Sequence, residues 1–412
     1  MKSSHSSSLK PLVTCIMILF ATSLIAQSNN EKYTCENSAN TFLEKTLGNW
    51  RVITKDRTSP GVYESNYGTS TITQSIEGCG IKESYRGTYR NKVYAREVVI
   101  TGSDSSRVQM SALDSEHGSF SILNGTVEDS KMTLYWYRDI QKKRLQSKYK
   151  LEFKDESTFE FSSFLSTDYG ENWALTHQRI YHKIKHEEVT IVTKDSIKVF
   201  GDLYTIDKKS PTILLFHQGG SNSRAEYKTI IPKLNNEGYN VLSIDQRVGG
   251  SYFYGGHNRT VARLEKRGYN YCDAYPDMEA TLDYLVENGY NGKRIAWGSS
   301  YSASLAVKLA NNNPNKLDGV LAFSPASGDQ LAECRADNYF KTLKLPLLLL
   351  RPKSEMQRDR SVQQISLAKD SGHKTYVAEN GVHGSSMLVK DRVEGSTSKQ
   401  WNVVLNFLNE LQ

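Results

Sequence analysis

The chain is short of several things, and each shortage removes a class of function. It has only five Cys and no CxxC pair, which excludes a zinc ribbon or a thioredoxin-type redox motif. Its charge is nearly balanced, with 52 Lys and Arg against 45 Asp and Glu. The +7 excess is small and scattered, so it leaves little footprint for nucleic acid. Trp is scarce, five residues against 24 Tyr, and the Tyr are dispersed through strand-like and loop-like segments. No repeat of propeller type recurs. The apolar run Leu12 to Ala26 has fifteen residues, where about 20 are needed to span a bilayer. At 38% hydrophobic and 24% charged residues, the 412-residue chain is neither disordered nor polytopic. Its length suits two or three domains.

That short run fits a secretory signal. Lys2 and Lys10 precede it and polar Gln27-Ser28-Asn29-Asn30 follows, so residues 1–26 read as a signal peptide cleaved after Ala26. Cys15 lies inside the run rather than closing it, which argues against a lipoprotein site. Cleavage leaves an excess of +5, no stable membrane span, and a periplasmic or extracellular destination. Export permits disulfides. Cys35, Cys79, Cys272 and Cys334 remain. Cys35 with Cys79 and Cys272 with Cys334 are possible bridges. Four Cys allow three pairings, however, and four unpaired thiols fit the spacing equally well.

Residues 31–185 read as an antiparallel β domain, a barrel or sandwich. Short alternating runs recur, such as Val93 to Val98, Met132 to Tyr137 and Thr158 to Ser162. Turn signals separate them: Glu77 to Gly80, Asn124-Gly125, Lys154 to Ser157 and Thr167 to Gly170. The only helix expected here is around Asn40 to Thr46. His117, His177 and His182 are singly placed, without the spacing of a metal site. The opening Leu47-Gly48-Asn49-Trp50, the Gly78-Cys79-Gly80 turn and His117-Gly118 resemble secreted lipocalin-like (calycin) barrels, a class that can hold a small apolar ligand.

Residues 186–412 switch to strand–helix alternation, which implies a mostly parallel sheet covered by helices on both faces. Strands are expected at Thr212 to Phe216, Tyr239 to Ile244, Arg294 to Trp297, Leu317 to Phe323, Leu345 to Leu350 and His373 to Val377. Helices are expected at Tyr227 to Glu237, Pro276 to Asn288, Tyr301 to Asn311 and Trp401 to Leu411. The switch near 183–190 predicts a protease-sensitive joint between two domains.

Three elements in this half converge on one chemistry. Gly298-Ser299-Ser300-Tyr301-Ser302 follows a strand and opens a helix, the context a nucleophile elbow requires. Ser300 is its nucleophile, with Ser302 where Gly is usual. His383 lies 83 residues later, after the last strand and before the C-terminal helix, and is the candidate base. The loop after Leu350 offers Glu355 first and Asp359 later as the acid that would orient it.

Leu215 to Asn222, Ile244 to Arg247, Gly249-Gly250, Trp297 to Ala303 and Ala322 to Pro325 resemble one branch of the α/β-hydrolases. That branch is related to dienelactone-hydrolase-like and prolyl-oligopeptidase-like enzymes. The resemblance spans residues 190–412. It implies a serine hydrolase with no metal or organic cofactor and a Ser300–His383–Glu355 triad. It also implies an oxyanion hole built from the Gly219 and Tyr301 amides, with Gln218 as the alternative donor. His217, Gln218 and Arg247 would then border the substrate, although a salt-bridged Arg247 holding its loop fits equally well. The Tyr-rich insertion 249–275 reads as a small lid. An ester hydrolase acting on a small-molecule acyl substrate comes first. A peptidase on the same fold and a silent binding protein that works through the barrel are the competitors.

Overall fold

The computed structural model describes residues 35–411 apart from 76–77, 90–91, 104, 117, 119 and 141–142. The expected signal peptide and His117 lie outside the described residues.

Ten antiparallel strands close into a barrel. They are β1 (Gly48–Ser59), β2 (Val62–Gln74), β3 (Ile81–Tyr89), β4 (Lys92–Gly102), β5 (Arg107–Asp114), β6 (Phe120–Glu128), β7 (Lys131–Ile140), β8 (Lys143–Asp155), β9 (Thr158–Ser166) and β10 (Ala174–Lys183). Each pairs with the next, and β10 pairs with β1. Closure leaves no free sheet edge. Side chains alternate as the strand period demands: along β4, Tyr94, Arg96, Val98 and Ile100 are buried and their neighbours are not. The core centres on Trp50, which packs edge-on against Phe159 and donates Nε1–H to Thr46 O at 2.8 Å. A short helix, α1 (Ser38–Glu44), is N-capped by Asn37 and adds Ala39, Phe42 and Leu43 to that core. The expected Asn124-Gly125 turn is instead the middle of β6, where Gly125 pairs with Leu134. The reversal falls at Asp129-Ser130, both at positive φ, which short hairpin turns require.

The second part is an eight-stranded mixed sheet, made of β11 (Lys185–Val192), β12 (Lys198–Thr205), β13 (Thr212–Phe216), β14 (Asn240–Asp245), β15 (Arg294–Ser299), β16 (Gly319–Phe323), β17 (Leu347–Pro352) and β18 (Lys374–Ala378). The order is β11-β12-β14-β13-β15-β16-β17-β18. The first two strands are antiparallel to their neighbours and the rest are parallel. Its helices are α2 (Ser223–Tyr227), α3 (Ile230–Asn236), α4 (Arg259–Arg263), α5 (Tyr275–Glu287), α6 (Tyr301–Asn312), α7 (Asp359–Asp370) and α8 (Ser398–Glu410). Both faces of the central strands are buried, so their interior positions are mostly apolar, as in β13 and β16. Leu214, Phe216 and Ala296 join α5 and α6 in one core. Ile213, Leu215 and Trp297 join α3 and α8 in the other. The single helix expected over Tyr227 to Glu237 is two short ones, broken after Tyr227.

Cys35–Gln412 form one compact unit. Only Ile184 separates β10 from β11, and its N–H donates to Asn49 O at 2.8 Å. Arg51 on the barrel donates Nε–H to Asn236 O at the end of α3, 3.1 Å away. No exposed loop therefore forms the joint expected near 183–190. Cys35 is bonded to Cys79 and Cys272 to Cys334. Among the described residues no helix is long and apolar enough to cross a membrane.

Candidate active site

The site grows from the end of β15. Ser300 has φ 61° and ψ −120°, outside the helix that begins at Tyr301. A non-glycine residue in that region costs on the order of 1–3 kcal/mol and must be held by its surroundings. Three backbone bonds hold it: Ser300 N–H donates to Phe323 O at 2.8 Å, and Ser300 O accepts from Ala303 and Ala326 N–H at 3.1 Å. The chain reverses so tightly that a Cβ on Gly298 would sit 2.3 Å from Ser302 O. Ser302, the departure from the usual small residue, has its own task. Its hydroxyl lies 2.6 Å from Phe216 O and accepts from Ser299 N–H at 2.9 Å, tying the elbow to the end of β13.

His383 and Glu355 come together from the loops after β18 and β17. His383 Nδ1 is 2.5 Å from Glu355 Oε1. The Glu355 carboxylate is buried, and its other oxygen lies 2.5 Å from Arg351 Nη1. Burial alone pushes its pKa up, but the hydrogen bond and charge of His383, with the Arg351 guanidinium, prevail and hold it below the ordinary value. Arg351 is itself 4% exposed, bonded to Pro325 O and to Gln364 Oε1. The Glu355 carboxylate is thus braced from behind. Asp359 is elsewhere, as the exposed first residue of α7.

The His383 loop is pinned to the elbow strand. Gly384 N–H donates to Ser324 Oγ, and Ser385 N–H to Ser299 Oγ, both at 3.0 Å. Trp297 Nε1–H donates to Ser385 Oγ at 2.8 Å. A Cβ on Gly384, at φ +68°, would lie 2.3 Å from Ser299 Oγ, so glycine follows the histidine for space as well as conformation. Among the described residues Ser300 Oγ makes no hydrogen bond to His383. Such contacts are commonly loose in the absence of substrate.

The turn after β13 is built on two buried residues. His217 is 0% exposed, with Nδ1 at 2.9 Å from Gln218 O and Nε2 accepting from Gln246 N–H at 3.0 Å. Both ring nitrogens are consumed, so His217 holds the turn and cannot border a substrate. Gln218 N–H donates to Glu226 Oε2 at 2.9 Å, which removes it as an oxyanion donor. Burial pushes the Glu226 carboxyl up. Gly219 N–H has no acceptor among the described residues. Neither does the Tyr301 amide, at the first position of α6, where no intrahelical acceptor exists. The Tyr271 ring lies against Gly219 and stacks on Tyr301, with centroids 4.9 Å apart.

Arg247 is 4% exposed and gripped by Asp277 and Asp195. Its guanidinium fastens the loop after β14 and is not presented to the site. The insertion 249–275 packs over the turn: Phe253 N–H donates to Gly220 O at 3.0 Å, and Tyr254 Oη lies 2.6 Å from Ser386 Oγ.

Sequence reasoning missed Arg351, Glu226 and the Ser299, Ser324 and Ser385 clamps. Arg351 left a signal, since it lies near the end of a strand, four residues before Glu355. The serines left none, because their role depends on strands far apart in sequence.

This sheet order, with the elbow after β15 and the His–Glu pair after β18 and β17, is decisive. The C-terminal half has the α/β-hydrolase fold. Residues 207–384 match the family model described as serine aminopeptidase, S33. Among solved structures the chain is similar to an esterase of Pyrococcus furiosus, at 20% identity over 55% of this chain and 91% of that one, with a TM-score of 0.43. It is similar to a dienelactone hydrolase from Anabaena variabilis, at 14% identity over 56% and 99%, TM-score 0.42. It is also similar to a bacterial brefeldin A esterase, at 13% identity over 55% and 77%, TM-score 0.42. No curated protein matches the chain.

Proposed function

We propose that the protein is an exported serine hydrolase that cleaves carboxylic esters through an acyl-enzyme. The observation that carries this reading is the 2.5 Å contact between His383 and a buried Glu355, beside a Ser300 held at positive φ. Ser300 Oγ attacks the acyl carbon while His383 Nε2 takes its proton. The oxyanion that forms is held by the Gly219 and Tyr301 amides. Collapse breaks the ester C–O bond, and the alkoxide leaves with the proton from His383. Water, deprotonated by the same imidazole, then attacks the acyl carbon and releases the acid and Ser300. Glu355 fixes the tautomer with Nε2 free and stabilises the imidazolium. The two disulfides support an oxidising destination outside the cytoplasm.

A fluorophosphonate probe followed by intact-mass analysis tests the chemistry. One adduct is expected on the wild type and none on Ser300→Ala. Absence of labelling in the folded wild type would favour a silent binding protein. The description of the matched family favours peptide hydrolysis as a second reading. Matched p-nitrophenyl esters and aminoacyl p-nitroanilides separate the two, with faster ester turnover expected.

A further inference from the structure

Glu226 is a buried acid that the proposed chemistry does not use. It is 0% exposed in α2, and its Oε2 accepts from Gln218 N–H at 2.9 Å. Its Oε1 makes no hydrogen bond among the described residues. Burial pushes the carboxyl up, against smaller opposing effects of the Ser299 hydroxyl and the Gln218 N–H. A buried carboxyl bonded through one oxygen costs stability, and an apolar residue of similar size would fill the space without that cost. Breaches of this kind are expected where function requires them. The surroundings also aim this group. α2 is only five residues long and is held from outside. Arg392 donates to the Ala225 and Glu226 carbonyls at 2.8 and 3.2 Å. Tyr227 Oη–H donates to Phe216 O, at the end of β13, at 2.7 Å. The Glu226 side chain is thereby fixed against the turn that follows β13.

That turn needs an anchor. Gly219 is followed by Gly220 at φ +69°, and two residues without a Cβ let peptide planes rotate easily. An oxyanion donor is useful in one orientation only. The Gln218 carbonyl accepts from His217 Nδ1 at 2.9 Å and from Ser221 N–H at 3.3 Å. In a planar trans peptide the next N–H points the opposite way, so the Gly219 amide faces away from both donors. The other end of the same residue, the Gln218 N–H, is held by Glu226. We infer that Glu226 is a positioning residue for the oxyanion hole: by holding the Gln218 N–H it sets the plane in which the Gly219 amide is presented to the cleft. The inference rests on the reading of Gly219 and Tyr301 as oxyanion donors. The role requires an acceptor at this position and not a charge, so an amide can fill it.

The test compares Glu226→Met, which keeps the length and removes the acceptor, with Glu226→Gln, which keeps one. Two readouts are used on the full chain: kinetics on p-nitrophenyl butyrate, and inhibition by an alkyl trifluoromethyl ketone. Ser300 Oγ adds to the ketone carbon, the carbonyl electron pair moves to oxygen, and the serine proton passes to His383, so the adduct carries the oxyanion itself. In Glu226→Met, kcat should fall on the order of 10²-fold, the scale of one oxyanion donor, with KM little changed. The ketone Ki should rise by a similar factor. Glu226→Gln should recover most of both. A folded Met variant with wild-type kcat and Ki overturns the inference. So does a folded Gln variant as impaired as Met, which would assign the role to charge. A raised KM at unchanged kcat also overturns it, since Glu226 would then serve ground-state binding. If Glu226→Met does not fold, Glu226→Asp withdraws the acceptor by one methylene: matched losses in kcat and Ki support the inference, and undiminished values overturn it. A folded wild type that takes no phosphonate adduct overturns the hydrolase reading and this inference together. A labelled wild type with an unaffected Met variant overturns this inference alone.

Discussion

Replacing Glu355 by Gln is the sharpest perturbation of the site. Gln keeps the size and one acceptor but changes the contact with His383. An amide nitrogen facing Nδ1 would favour the tautomer with the proton on Nε2, where it cannot serve as a base. The amide also cannot stabilise the imidazolium. The corresponding change in a serine-protease triad lowers kcat by about 10⁴. That corresponds to about 5 kcal/mol of transition-state stabilisation. KM should change little, because the interaction matters mainly once the imidazolium forms. Folding should suffer separately. Arg351 is 4% exposed and would lose its carboxylate, and breaking a buried pair costs about 3–5 kcal/mol at most. Gln retains an acceptor, so the loss should fall nearer the 1.5–3 kcal/mol scale of a charge-assisted hydrogen bond.

The sign with pH follows from the depressed Glu355 pKa. A carboxyl whose folded pKa is lowered contributes stability above its unfolded value, about 4.3, and loses it as pH falls through the folded value. The gap in Tm between wild type and Glu355→Gln should therefore be full at neutral pH and shrink below about pH 4. Steady-state kinetics on a short p-nitrophenyl ester, with circular dichroism melts, checks both parts. A folded Glu355→Gln enzyme with near-wild-type kcat would refute the reasoning. Asp359→Asn is the control. That residue is exposed at the start of α7, and its replacement should change stability by no more than about 0.5 kcal/mol and leave kcat intact.

Other outcomes follow from the same geometry. Ser300→Ala should abolish phosphonate labelling, whereas Ser299→Ala should retain labelling while losing about 1–3 kcal/mol in denaturant titration, since Ser385 N–H then lacks its acceptor. The reverse pattern of labelling would put the nucleophile at 299. Gly298→Ala should destabilise by about 3 kcal/mol or more, or fail to fold, because the added Cβ meets the backbone of Ser302 and Ala303. Replacing Cys272 and Cys334 by Ser opens a closed loop of 62 residues that contains Ser300, and the chain-entropy model puts the cost at about 4 kcal/mol by chemical denaturation. Limited proteolysis should spare 183–190, where one residue links two paired strands; early cleavage there would contradict the packing.

The sequence by itself determined the periodicities and the local turns. Continuous apolar strands such as Thr212 to Phe216 can only be buried on both faces, and alternating runs such as Val93 to Val98 on one, so a covered sheet and a half-buried β domain were legible. The strand–elbow–helix at Ser300 was legible for the same reason, since its geometry is made by residues adjacent in the chain. What required tertiary structure were relations between distant segments. Asn124-Gly125 carries a turn signal, yet β5 and β7 recruit it into a strand through pairing that its own neighbours do not encode. Arg247 and His217 are polar residues beside a functional loop. Only the approach of Asp277 in one case and Gln246 in the other shows that they are consumed as fasteners. Two candidate acids stood four residues apart, and the fold alone decided which meets His383. The two disulfide pairings were settled in the same way. Each depends on which side chains closure brings face to face, and spacing along one chain does not contain that distance.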